Sequence, residues 1–152
     1  MPRFFTDDIN GSIAHISGAD AWHISQSLRM RLGDMITVCS NSTDYSCIIN
    51  AITEELITLQ IENSSPCETE PSIKLTLYQA IPKQDKLEMI IQKSVELGAV
   101  KIVPVLTSRC ISRPSLVGFE KKRIRFSKIA AEAAKQSGRG MIPQIGDMMD
   151  FS

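Results

Sequence analysis

No run of apolar residues in this 152-residue chain approaches the ~20 needed to cross a bilayer. The N-terminus, MPRFFTDDIN, carries acidic residues where a secretory leader would carry its apolar centre. A cytoplasmic protein is expected. Cysteine is sparse: Cys39, Cys47, Cys67 and Cys110 form no CxxC pair, and His15 and His23 stand at no ligand spacing from them, so no metal site is expected. The thiols read instead as buried or half-buried groups in a reducing compartment. The nucleotide loops GxGxxG and GxxxxGK(S/T) are missing, as are the GxSxG elbow and the HExxH helix. Cys110 has no neighbouring histidine in sequence to make it a nucleophile.

Net charge is zero, yet unevenly spread. Residues 1–70 hold three basic and ten acidic side chains, residues 71–152 fourteen basic and seven acidic. Such asymmetry points to two units and to an anionic partner for the second. A boundary falls at 63–72, NSSPCETEPS, polar with two prolines. Before it, short strand-like runs at 12–16, 35–39, 45–52 and 56–61 surround one helix carrying Trp22, Ile24 and Leu28, with Asp20 as its cap. Several short strands with one helix suggest a small closed or half-closed barrel.

After the boundary the rhythm becomes strand, helix, strand, helix. A strand is expected at 74–81. A helix capped by Asp85 follows, with Leu87, Ile90, Ile91, Ser94 and Leu97 inward and Gly98 at its end. The run VKIVPVL at 100–106 reads as a buried parallel strand, with Pro104 arguing for an edge or a bulge. A long helix starts near Phe119, with Phe126, Ile129, Ala130, Ala133 and Ser137 inward, and a third strand near Gln144. This is the start of an α/β layer whose sheet edge lies open.

Three polar clusters fall at element ends: Lys83-Gln84-Asp85-Lys86, Ser108-Arg109-Cys110, and Glu132, Gln136 and Arg139. The first is a solvated loop or an anion site near helix amides. The second is a surface turn or a ligand contact. Lys121, Lys122, Arg125, Lys128 and Lys135 form a basic helix face that is either merely solvated or tracks a sugar–phosphate backbone.

Taken in order, the motifs go further: Pro2-Arg3-Phe4-Phe5, His23 with Leu28-Arg29 and Gly33-Asp34, QKSVELG at 92–98, Ser108-Arg109-Cys110, and EAAKQSGR at 132–139. Over nearly the whole chain this resembles the ribosomal RNA small subunit methyltransferase E family. The resemblance implies a PUA-like RNA-binding β-barrel at 1–70 and a SPOUT-type, trefoil-knotted parallel α/β domain from 71, incomplete at 152. It implies methyl transfer from S-adenosylmethionine to N3 of a uridine in small-subunit ribosomal RNA, by a homodimer acting on that RNA or on the small ribosomal subunit. Arg139 would stabilise charge on the uridine carbonyls, with Glu96 or Glu132 as proton acceptor or arginine holder. Arg3, Arg29, Arg31, Lys83, Lys86, Arg109 and Gln136 would face RNA. The family's glycine-rich cofactor loop has no counterpart here, so the cofactor site is expected in a missing C-terminal segment, and the alternative is a non-catalytic RNA-binding module. The family often has Trp at Phe126; either serves as a core aromatic. On these expectations, calorimetric titration of S-adenosylmethionine into this chain gives no saturable heat; saturable binding would place a cofactor site within 71–152.

Overall fold

The computed structural model describes residues 1–84 and 86–151; Asp85, the expected helix cap, lies outside the described residues. The chain divides into two compact units, Met1–Glu68 and Thr69–Ser152.

The first unit is one six-stranded sheet built from β1 (Arg3–Phe5), β2 (Ile9–Asn10), β3 (Ile13–Ser17), β4 (Met35–Ser40), β5 (Thr43–Ile52) and β6 (Leu56–Pro66), ordered β1-β4-β5-β6-β3-β2. A two-residue side-chain period sends Ile36 and Val38, Cys47 and Ile49, Ile57 and Leu59, and Ala14 and Ile16 to one buried face. Each fully buried Ile or Leu contributes about 1.5–3 kcal/mol. The sheet ends β1 and β2 are separated in sequence only by residues 6–8, so the sheet must curl back on itself. Thr6 Oγ1 donates to His15 O at 2.8 Å and Ser40 Oγ to Asp7 Oδ1 at 2.9 Å across that closure. The β4–β5 hairpin turns on Asn41 and Ser42, both at positive φ (47° and 57°), which matches the right-handed twist of the flanking strands.

Two expectations change here. Strand β6 runs through the first residues of the expected linker to Pro66, because Asn63, Ser64 and Ser65 pair with β5 residues Ser46, Tyr45 and Asp44. Ladder hydrogen bonds hold a strand there without an apolar period. The helix is also not capped by Asp20, which sits inside the first turn of α1 (Gly18–Trp22). A π-helical turn, His23–Ser27, follows. Ile24 points into the core, whereas Trp22 and Leu28 remain 59% and 41% exposed.

The second unit is a parallel sheet with β8 (Ala99–Leu106) at its centre, β7 (Leu75–Ala80) on one side, and β9 (Gln144–Ile145) and β10 (Met149–Asp150) in line on the other. Helices α2 (Lys86–Glu96) and α3 (Leu116–Gln136) pack on each other and against β8 and β9. Leu87, Ile91 and Val95 form the buried stripe of α2, and Leu97 is exposed. The inward residues of α3 are Phe119, Phe126, Ala130, Ala133 and Ala134, and its first turn is capped by Ser115 Oγ, which accepts from Gly118 N.

Pro104 lies in the central strand rather than on an edge. Ile102 O and Leu106 O accept from Gly146 N and Phe151 N, so residue 104 faces the same neighbour. It does so opposite 146–148, where that neighbour is interrupted between β9 and β10. The donor proline lacks would have no acceptor there. What stays open to solvent is a sheet face as well as an edge: Tyr78, Met149 and Phe151 are all exposed.

Gly98 ends α2 at φ 98°, and a Cβ there would stand 2.5 Å from Pro71 Cγ. Gly98→Ala therefore combines left-handed strain with a clash, and should lower unfolding free energy by about 1–3 kcal/mol, read as a reduced urea midpoint.

Candidate functional site

In open α/β sheets ligands gather outside the carboxyl ends of the strands. Here that end consists of residues 81–84 after β7 and 107–115 after β8. Between them and the first turns of α2 and α3 lies a cavity of about 110 Å³. Ile81, Leu87, Phe119 and Phe126 give it an apolar floor, and Gln84, Ser112, Lys122 and Arg125 give it a polar mouth. Phe119 and Phe126 pack at 5.9 Å between ring centroids, tilted by 50°. Arg125 Nη2 donates to Glu88 Oε2 at 2.9 Å across the mouth. Gln84 holds φ 58°, a strained conformation for a side-chain-bearing residue.

Lys83, Lys86 and Arg109 are exposed at this same end of the sheet. The neighbouring Cys110 is buried, and its Sγ accepts from Thr107 N at 3.3 Å. Hydrogen bonding to the Thr107 hydroxyl and N–H holds this thiol below its ordinary pKa. In the first unit burial pushes the thiols of Cys39 and Cys47 up, each to about 11. All four cysteines are buried and outside any disulfide.

A shallow groove runs between α2 and α3, lined by Gln92, Arg125, Lys128, Glu132 and Gln136. Arg125 belongs to both the cavity and the groove. Glu132 accepts from Lys135 Nζ at 2.9 Å and is 65% exposed. Glu96 accepts from Lys93 Nζ at 2.7 Å and from Gln92 Nε2 at 3.1 Å. The bond from Lys93, reinforced by that from Gln92, holds its carboxyl below the ordinary value.

Arg139 is elsewhere. The expected pocket-facing cation is 2% exposed and sits at the amino end of the sheet. Its Nε and Nη2 donate to the two carboxylate oxygens of Glu70, each at 2.8 Å, and its Nη1 donates to Val95 O at 2.8 Å and Ala99 O at 3.0 Å. Gly140 N donates to the same Glu70 at 2.7 Å. The structure thus gives Arg139 a structural place that sequence spacing alone left indistinguishable from a catalytic one.

Arg3 is likewise engaged. Its guanidinium grips Asp44 in a two-pronged ion pair and reaches Cys67 Sγ at 3.3 Å. Arg29 and Arg31 are exposed. Sequence reasoning took in Gln84 only as part of the cluster 83–86 and passed over Ser112, whose one signal was its place in the loop after a strand.

The guanidinium of Arg139 lowers the Glu70 carboxyl below its ordinary pKa of 4.5, with the Gly140 N–H adding to the effect. A carboxyl depressed on folding contributes stability above its unfolded pKa and loses it as pH falls through the folded value. Wild-type protein should therefore lose stability below about pH 4.5, whereas Glu70→Gln should be less stable at neutral pH and lack this group's share of the acid loss. Arg139→Ala should cost about 3–5 kcal/mol, measured by denaturant unfolding, because it strands a half-buried carboxylate and two carbonyls.

Comparison with known proteins adds a different kind of observation. Residues 68–152 match a family model described as RNA methyltransferase domain. Ribosomal RNA small subunit methyltransferase E of Bacillus subtilis (strain 168) is 34% identical, the alignment covering 99% of this chain and 61% of that protein. The protein of that name from Buchnera aphidicola subsp. Schizaphis graminum is 33% identical over 95% of this chain and 60% of its own length. A crystal structure of the Neisseria gonorrhoeae protein of the same name, bound to S-adenosyl methionine, superposes with a TM-score of 0.85 at 26% identity, covering 99% of this chain and 63% of that one. The chain thus spans about three fifths of the length of these relatives.

Proposed function

The chain belongs to the RNA methyltransferase domain family, and from that premise we propose that it serves S-adenosylmethionine-dependent methylation of N3 of a uridine in small-subunit ribosomal RNA. The observation that carries the reading is the basic carboxyl end of the parallel sheet. Lys83, Lys86 and Arg109 are exposed there, and Lys122 and Arg125 line the cavity mouth. Cations so placed suit phosphates, which position an RNA without reading its sequence.

S-adenosylmethionine supplies an electrophilic methyl group when bound. The described residues do not by themselves compose a site for it. The enclosed cavity has Lys122 and Arg125 at its mouth, of the wrong sign for a sulfonium. The wider apolar opening on the uncovered sheet face offers one carboxylate, Asp150, and no cation for the methionine carboxylate.

The chain's own residues suit the RNA side of the reaction. Uridine N3 carries a weakly acidic imide proton, which must leave as the new N–C bond forms. An RNA strand following α3 from Arg125 to Gln136 covers roughly 16 Å at 1.5 Å per residue. It passes Lys128 and meets Glu132 and Gln136. Glu132 is the proton acceptor in this reading, since it lines the groove that the strand would follow, whereas Glu96 lies outside that lining and, accepting from Gln92, serves to orient it. Gln136 can donate its amide to a uridine carbonyl. Arg139, its donors directed to Glu70, Val95 and Ala99, ties the end of α2 to the start of β8 in this reading.

The test is transfer of a labelled methyl group from S-adenosylmethionine to unmodified small-subunit RNA by a protein of the relatives' full length that carries this sequence. N3 methylation blocks Watson–Crick pairing, so reverse transcription should stop at the modified uridine. RNA that is bound but not methylated would favour the non-catalytic binding module. Arg109→Ala and Lys83→Ala should each weaken RNA binding across all sequences and reduce the slope of log affinity against log salt by about 1.

A further inference from the structure

We propose that Trp22, together with Arg29 and Arg31, forms a stacking platform in the first unit for an unpaired base of single-stranded RNA. The inference rests on the reading that the chain acts on RNA; the resemblance already implies that Arg29 and Arg31 face RNA, and what is added is stacking of a base on Trp22.

Three features converge on this one segment. Trp22 is the only tryptophan of the chain and its ring is 59% exposed, although large aromatic surfaces are ordinarily buried. The π-helical turn His23–Ser27 begins directly after it, with Leu28 N donating to His23 O at 2.9 Å and Met30 N to Ile24 O at 3.1 Å. Arg29, just beyond the turn, holds φ 52°. Single π turns and left-handed residues other than glycine concentrate where function demands a re-aimed side chain. The support beneath is firm: Ile24 is fully buried, and the His23 ring meets Phe4 edge-on at 6.3 Å.

Charge selects the occupant. The first unit has only three basic side chains among many acidic ones. Arg3 is committed to Asp44, and the other two, both exposed, lie in this segment. A polyanion approaching an otherwise acidic unit meets its cations beside the one exposed indole. Bases stack on such rings irrespective of sequence while arginines hold the adjoining phosphates.

Because Trp22 is the sole tryptophan, its emission reports on the site directly. A ten-nucleotide oligouridylate, labelled at its 5′ end, is titrated with the protein while anisotropy and indole emission are followed together. Quenching with the same midpoint as the anisotropy change is expected. Trp22→Ala should weaken binding roughly 5- to 150-fold and Trp22→Phe should restore most of it. Arg29→Gly should leave the fold at least as stable, glycine being suited to positive φ, and yet weaken binding. If RNA binds while emission stays constant and Trp22→Ala is without effect, the platform is wrong although the RNA reading stands. If heparin quenches as RNA does, charge alone is at work and stacking is refuted. No anisotropy change with any RNA overturns the RNA reading itself.

Discussion

The guanidinium of Arg139 gathers the end of α2, the start of β8 and the segment entering the second unit onto one buried charge. Its own residue lies in the stretch between α3 and β9, so four pieces of chain depend on it. The geometry is bidentate toward Glu70 and forked toward two carbonyls, which a planar guanidinium can satisfy and an ammonium cannot. A charge this deep would be costly without those partners. Pro71 resting on Gly98 reinforces the same corner.

This clamp divides the labour along the parallel sheet. Its amino end is closed by buried hydrogen bonds and a steric fit that leave little room for change. Its carboxyl end is made of loops carrying exposed cations around a small cavity, the arrangement in which ligands can be met without disturbing the core. The interruption between β9 and β10 belongs to the same economy of form, for it lets Pro104 occupy the central strand without leaving an acceptor unanswered. On the surface of α3, Glu132 and Gln136 line a groove, whereas Arg139 is buried.

In the first unit the constraint is electrostatic. Acidic residues far outnumber basic ones, and one of three arginines is neutralised internally. The acidic average hides an uneven distribution, since the unit's two exposed arginines lie in the same segment as its one tryptophan. The segment is anchored in the core of alternating apolar strands through Ala21 and Ile24.

Much was legible before any coordinates. Alternating apolar residues announced β4 to β6, the apolar run at 100–106 announced β8, and QKSVELG with EAAKQSGR carried a family resemblance that the comparisons bear out. These are local or linear signals: a strand's period, a buried run, an ordered motif. Tertiary structure alone decided which polar residues are internal. Arg139 and Arg109 both follow a strand or helix end in the sequence, and only the packing of Glu70 and two carbonyls around the first makes it a clamp. Trp22 had the spacing of a helix residue, and the π turn after it belongs to the exposed end of that segment. Leu97 was read as inward by period, but the chain had already turned toward Gly98. Burial of a charge and exposure of a ring depend on partners brought from distant parts of the chain, and no local pattern encodes them.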